Sequence, residues 1–120
     1  MDEKTLLPIQ PKVYEFSLWF HRVWLQFPKT YKYILGQQIA DVQIEMMSTI
    51  AEARFIKNKL DLLRTAQRQL EKLRWLLRLA KDLQCISIKQ YEQSSRYIVE
   101  IGKMLGGWER TQKIRDVESV

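Results

Sequence analysis

The fold class is decided by residues 70–83, which read LEKLRWLLRLAKDL. Apolar side chains recur there at intervals of three and four, which places them on one face of a helix. Leu, Lys, Arg and Glu fill most positions, and all four favour helices. The pattern extends upstream and predicts a helix over residues 59–83. Its apolar stripe consists of Leu62, Ala66, Leu70, Leu73, Leu77 and Ala80.

The same periodicity predicts three further helices, over residues 12–27, 30–56 and 88–105. Pro28 ends the first of them, and Thr30 is a candidate N-cap for the second. Ser87 and Gln90 form a capping box at the start of the last. The stripe of the first helix consists of Val13, Phe16, Phe20, Val23 and Phe27.

Two breaks complete the division of the chain. Asn58 followed by Asp61 is typical of a capping box, so the third helix is expected to begin there. The Gly106-Gly107 pair is expected to stop the last helix. We predict an N-terminal extension, a four-helix domain and a flexible polar tail, over residues 1–10, 11–108 and 109–120. Amphipathic helices with short connections predict an all-α, antiparallel up-down-up-down bundle.

The second predicted helix carries an apolar face opposite its core stripe. Its members are Tyr33, Ala40, Ile44, Met47, Ala51 and Phe55. In the third helix, Trp75 and Leu79 lie one turn apart on a charged arc. Bundles always expose a few apolar residues, but six on one face favour self-association. We predict an oligomer interface formed by Ile44, Met47, Ala51, Phe55, Trp75 and Leu79.

Positive charge is concentrated in residues 54–81. That segment has nine basic and two acidic side chains, a net charge of +7 in a chain whose total is +6. Acidic partners four residues upstream are mostly missing, and the arginine fork suits phosphate. A solvated helix face is the alternative to a nucleic-acid surface. We predict that RNA or DNA is bound by Arg64, Arg68, Lys72, Arg74, Arg78 and Lys81.

Residues that could carry chemistry are few. With one histidine and one cysteine, the chain cannot form an internal disulfide or a two-histidine site. His21 is interpreted as a surface or hydrogen-bonded histidine, and Cys85 as a small buried side chain. Asp41, Glu45 and Glu52 share a helix edge that could suggest a metal, but a solvated edge or ion pairs to a neighbouring protomer fit better. We predict no enzyme activity, cofactor, metal or small-molecule substrate.

Targeting signals are not expected. The chain begins Met-Asp-Glu-Lys without an apolar stretch behind it, unlike a signal peptide. No uncharged apolar run approaches the roughly 20 residues that a membrane span needs. We therefore predict a cytoplasmic protein without a membrane partner.

Five segments carry a family resemblance: FPK (27–29), LGQQI (35–39), EARF (52–55), LEKLRWLLRLAKDL (70–83) and IGKMLGGW (101–108). Over about residues 13–108 the chain resembles the accessory variability determinant proteins of diversity-generating retroelements. Those proteins belong to a wider four-helix family with the proteins encoded in intervening sequences of 23S ribosomal RNA genes.

The resemblance implies a homopentameric barrel of four-helix protomers with a basic surface. It also implies binding to the element's reverse transcriptase and to template RNA or cDNA, in support of mutagenic reverse transcription and retrohoming. The accessory protein itself carries no chemistry. A structural oligomer of the ribosomal intervening-sequence type, without a retroelement role, is the alternative.

Overall fold

The computed structural model describes residues 8–118, and within them the chain is helical and contains no strand. The helices are α1 (Ile9–Trp24), α2 (Lys29–Lys32), α3 (Leu35–Ala53), α4 (Leu60–Asp82) and α5 (Ile88–Glu118). This confirms the all-α prediction. The predicted N-terminal extension lies mostly outside the described residues. None of these helices is long and apolar enough to cross a membrane.

Four long helices surround one apolar core. Both α1 and α4 pack against α3 and α5. Phe16 and Phe20 of α1 are fully buried, and the Phe16 ring lies 5.5 Å from the Tyr97 ring of α5. The predicted stripe of the first helix is buried throughout, at Val13, Phe16, Phe20, Val23 and Phe27.

Contacts at both ends tie α1 to α5. Lys12 Nζ lies 2.9 Å from Glu100 Oε2, and hydrogen bonding to Glu100 raises the pKa of Lys12. Just after the other end of α1, Gln90 Nε2 donates to Gln26 Oε1 over 3.5 Å.

The apolar stripe of α4 is buried along the helix, with one difference from the prediction. Leu63, not Leu62, begins it; Leu63 is fully buried, whereas Leu62 is only partly buried. Leu63 lies three residues before Ala66 and so continues the alternation of three and four that follows. The predicted members that are buried are Ala66, Leu70, Leu73, Leu77 and Ala80.

The second predicted helix is interrupted after Lys32, which divides it into α2 and α3. Trp24 Nε1 donates to the Lys32 carbonyl over 2.8 Å, so a side chain occupies a carbonyl that a continuous helix would use. The predicted N-cap at Thr30 is wrong, because Pro28 occupies that position and no side chain caps α2. The break therefore depends on a contact from α1.

Lys59 joins α3 to α4. The predicted Asn58–Asp61 capping box is wrong, because Lys59 occupies the N-cap position and no side chain caps α4. The Lys59 ammonium instead satisfies carbonyls at the end of α3, where helices leave acceptors unpaired. It donates to the carbonyls of Ala53 (2.7 Å), Arg54 (3.1 Å) and Ile56 (2.6 Å).

The turn between α4 and α5 is built from two local motifs. Gln84 has a left-handed backbone conformation, with φ of 62°, and its backbone N–H donates to the Lys81 carbonyl over 2.9 Å. After the turn, the predicted capping box is confirmed. The Gln90 backbone N–H donates to Ser87 Oγ (3.0 Å), and the Ser87 backbone N–H donates to Gln90 Oε1 (2.8 Å).

α5 continues through Gly106 and Gly107 to Glu118, so the predicted helix end is wrong. Neither glycine has a positive φ, and the expected stop would have used one. Two glycines in a helix cost about 1 kcal/mol each relative to alanine. Beyond them, Trp108 packs against the core and Gln112 is buried. This packing stabilises the last part of α5, which has no apolar stripe of its own.

Candidate nucleic-acid interface

The six predicted nucleic-acid-binding residues form two rows on α4. All are exposed except Lys81, which is partly exposed. Successive residues of a helix are about 100° apart around its axis, so Arg64, Arg68 and Lys72 share one side of α4, facing outward and towards α3. There Arg68 and Lys72 line a groove with Val42 of α3. We call Arg64, Arg68 and Lys72 the α3-side row. The second or α5-side row consists of Arg74, Arg78 and Lys81.

The α3-side row carries uncompensated charge. In the described part of the chain, Arg64 and Lys72 have no acidic partner. Arg68 Nη2 donates to the neutral Thr65 Oγ1 over 2.9 Å. Three cations on successive turns create a positive surface suited to a polyanion.

The α5-side row is partly compensated. Arg74 Nε lies 3.6 Å from Glu71 Oε2, and both side chains are about half exposed, so this ion pair is weak. The Arg78 guanidinium lies 5.9 Å from the centre of the exposed Trp75 ring. Such stacking leaves the edge of the guanidinium open to an acceptor.

Lys81 is the most engaged of the six. Its Nζ lies 3.4 Å from Asp82 Oδ1 and 4.7 Å from the centre of the Tyr91 ring. Its ammonium is thereby held at the turn between α4 and α5.

Two basic residues of α5 extend the α5-side row, and the sequence reasoning missed them. Lys103 and Arg110 line a groove together with Arg74, Gly102 and Gly106. A signal was available in the sequence, because basic residues recur there every seven positions and so share a helix face. They are Lys89, Arg96, Lys103 and Arg110. Arg110 was missed because a helix end was expected before it.

The predicted interface residues form two apolar patches. The α4 patch consists of Trp75 and Leu79, which are 62% and 45% exposed. In the other patch Phe55, just after α3, is 81% exposed, while Met47 is partly buried. We call Ile44, Met47, Ala51 and Phe55 the α3 patch. Ala40, assigned to the same face from sequence, is instead buried in the core.

The two patches lie on different sides of the molecule. Ser17 Oγ of α1 donates to Gln43 Oε1 over 3.1 Å, which marks the α1 side of α3. Val42 lines the groove with Trp75 and marks the α4 side. Ile44 follows Gln43 by about 100° around the helix, away from α4. The α3 patch therefore lies beyond the α1 side, apart from the α4 patch.

The other residues considered for chemistry are the histidine, the cysteine and the acidic edge of α3. His21 Nδ1 lies 2.8 Å from the Ser17 carbonyl oxygen, so the interpretation as a hydrogen-bonded histidine is confirmed. Cys85 is buried as expected, and burial raises the pKa of its thiol. Asp41 Oδ1 accepts from Gln37 Nε2 over 2.9 Å. Among residues 8–118, no three His, Cys, Asp or Glu side chains come together as in a metal site.

Comparison with known families places the chain. A family model described as bAvd-like matches residues 7–112. The chain belongs to the bAvd-like family. This confirms the family resemblance, and the family is of an accessory, non-catalytic type. No curated protein matches the sequence.

The bAvd-like match covers the candidate surfaces described above. Both rows of α4, both apolar patches and the groove at Lys103 and Arg110 lie within residues 7–112.

Proposed function

We propose that this bAvd-like protein is a non-catalytic accessory subunit of a diversity-generating retroelement. It binds template RNA or cDNA and the element's reverse transcriptase, and so supports mutagenic reverse transcription and retrohoming. The observation that carries the proposal is the α3-side row, in which Arg64 and Lys72 are exposed without an acidic partner in the described chain. Family membership supports the accessory, non-catalytic part.

The basic rows bind through phosphates in this proposal. Cations that neutralise phosphates release counterions, so affinity falls steeply as salt rises and depends little on base sequence. The protein raises the local concentration of RNA at the polymerase, which enhances the reaction without new chemistry.

The described contacts support an antiparallel, up-down-up-down order of the long helices. Lys12, early in α1, contacts Glu100 of α5, whereas Gln26, just after α1, contacts Gln90, which comes earlier in α5. The same holds for α4 and α5: Leu70 lies against Gly102, while Lys81, further along α4, lies over Tyr91, earlier in α5. Short turns between successive helices agree with this order.

The two apolar patches suit a ring of identical protomers. A head-to-tail contact needs two different surfaces on each protomer, and it closes into a ring when the rotation fits. The α3 patch of one protomer would cover Trp75 and Leu79 of the next. Lys72 lies at the edge of that contact, while Arg64 and Arg68, about two to three turns before Trp75 along α4, lie outside it and stay open to RNA. The family resemblance makes five the number we propose.

Light scattering tests the ring. Five protomers of 14.4 kDa give a mass of about 72 kDa. Ile44→Asp should dissociate the ring, because it buries an unpaired charge at the contact. Val117→Asp, at an exposed position near the end of α5 and outside both patches, should leave the mass unchanged. A monomeric parent at micromolar concentration would reject the ring.

The polymerase contact is proposed for the acidic edge of α3, formed by Asp41, Glu45 and Glu52, all exposed. A reverse transcriptase needs a basic surface to hold nucleic acid, and such a surface attracts these carboxylates. Co-purification with the reverse transcriptase after nuclease treatment supports direct contact. Loss of the complex on nuclease treatment leaves only tethering by RNA.

RNA binding tests the function itself. Arg64→Ala/Lys72→Ala removes two unpaired cations of the α3-side row, and Arg22→Ala/Lys29→Ala removes two exposed cations elsewhere. The slope of log affinity against log salt should fall by about 0.7 for each phosphate of a single strand that is no longer neutralised. We expect that change only in the first variant. A parent that binds no RNA and no reverse transcriptase, yet assembles, would leave the structural-oligomer alternative.

A further inference from the structure

A groove between α4 and α5 brings three cations together. Arg74 comes from α4, and Lys103 and Arg110 come from α5. Ile98 and Val99 complete its walls with two glycines, and no acidic side chain lines it.

The glycines create the groove. A Cβ at Gly102 would lie 3.4 Å from Leu70 Cδ2, so the α5 backbone runs close to α4 at this point. One turn later, Gly106 leaves the surface open. A Cβ at Gly106 would lie 3.6 Å from Arg110 Nη1, and one at Gly107 would lie 3.7 Å from Arg110 Nη2. The guanidinium of Arg110 thus lies over helix surface that carries no side chain.

The three cations are available to an anion. Lys103 and Arg110 are exposed and have no acidic partner among residues 8–118. Arg74 Nε lies 3.6 Å from Glu71 Oε2, beyond hydrogen-bond distance, and the Arg74 side chain is about half exposed. Arginine nitrogens bind phosphate oxygens in pairs, whereas lysine acts as a point charge.

We propose that this groove is a phosphate-binding site that seats a backbone phosphate of single-stranded RNA. Arg74 and Arg110 bind the phosphate oxygens from the two helices, and Lys103 neutralises the charge from the rim. The site rests on the proposed function and deepens it. The α3-side row attracts RNA over a broad surface, while the groove fixes where one phosphate lies.

Two variants of the full chain test the cations. Lys103→Ala/Arg110→Ala removes two groove charges, and Arg22→Ala/Lys29→Ala removes the same charge elsewhere. Binding of a labelled 20-nucleotide single-stranded RNA is measured at several salt concentrations. The groove variant should lose about tenfold or more in affinity, the usual effect of removing charged hydrogen bonds. Its salt slope should also fall, by about 0.7 for each phosphate that the groove no longer neutralises. Equal losses in both variants would overturn the proposal.

A second pair of variants tests the groove's shape at constant charge. Thr111→Leu adds a leucine at an exposed α5 position outside the groove, so RNA binding should match that of the parent. Gly106→Leu fills the groove and should weaken binding about tenfold, with unchanged helicity by circular dichroism. Unchanged RNA binding by Gly106→Leu would overturn the proposal that the groove binds a phosphate. Should Arg64→Ala/Lys72→Ala still weaken binding in that case, the proposed function would stand without it.

Discussion

Gly36 is the second residue of α3, and the indole of Trp24 leaves no room for a side chain there. A Cβ at Gly36 would overlap Trp24 at Nε1 and Cδ1 and would lie 3.3 Å from Phe27 Cδ2. The indole has little freedom to move away. Its Nε1 donates to the Lys32 carbonyl over 2.8 Å, and its ring stacks on Phe20 at 6.2 Å. Gly36→Ala should therefore destabilise the protein.

The magnitude follows from three contributions. Forcing a methyl group into a packed site costs about 1–3 kcal/mol. Displacing the indole from the Lys32 carbonyl costs about 0.5–1.5 kcal/mol more. The better helix propensity of alanine returns at most about 1 kcal/mol. We expect the free energy of unfolding to fall by about 2 kcal/mol, which lowers Tm by roughly 8 °C for a chain of this size.

Urea and thermal unfolding, followed by circular dichroism at one protein concentration, measure the effect. Gly106→Ala is the matched control, because its Cβ meets only the flexible end of Arg110; it should stabilise by up to about 1 kcal/mol. In a Trp24→Phe background, the cost of Gly36→Ala should largely disappear, since the two positions interact directly. A Gly36→Ala protein as stable as the parent, or an equal cost in both backgrounds, would refute the reasoning.

Three further outcomes are expected. Lys59→Met should lower the free energy of unfolding in urea by about 1.5–3 kcal/mol, because it leaves the carbonyls at the end of α3 without their charged donor; no change would contradict that role. Gln84→Gly should raise stability by about 1 kcal/mol, since Gln84 holds a φ of 62° that glycine adopts without strain, and a lower Tm would argue against it. Cys85 should react slowly with a thiol reagent in the native protein and rapidly in urea, because burial raises its pKa and shields it; equal rates would contradict its buried position.

Much of the bundle follows from local rules. The stripes of α1 and α4 follow from apolar spacing, because a helix repeats every 3.6 residues and burial selects one face. The Ser87–Gln90 capping box is equally local, since both partners lie within one turn. The charge of α4 is also explicit in the sequence, because exposed cations have no packing constraint that could conceal them.

Three features depended on contacts that form only when helices and turns are packed together, and sequence patterns did not reveal them. The break after Lys32 is made by the indole of Trp24 from α1, whose reach depends on how α1 and α3 pack. Lys59 replaced a plausible capping box, because its ammonium finds the carbonyls of the preceding helix only once the turn is formed. The α3 patch could be outlined by spacing, but Ala40 was misassigned to it because burial depends on the neighbouring helix.

The sequence by itself determined that this protein is a helical bundle with a basic α4 and belongs with the accessory variability determinant proteins. Periodicity and charge are properties of single helices, so they can be read before any packing is known. Only the tertiary structure decided that α5 continues past Gly106-Gly107. A glycine pair stops a helix when nothing beyond it is held in place, and here Trp108 and Gln112 pack against the rest of the molecule. That continuation places Arg110 beside Arg74 and forms the groove, a juxtaposition of two helices that no spacing along one helix can show.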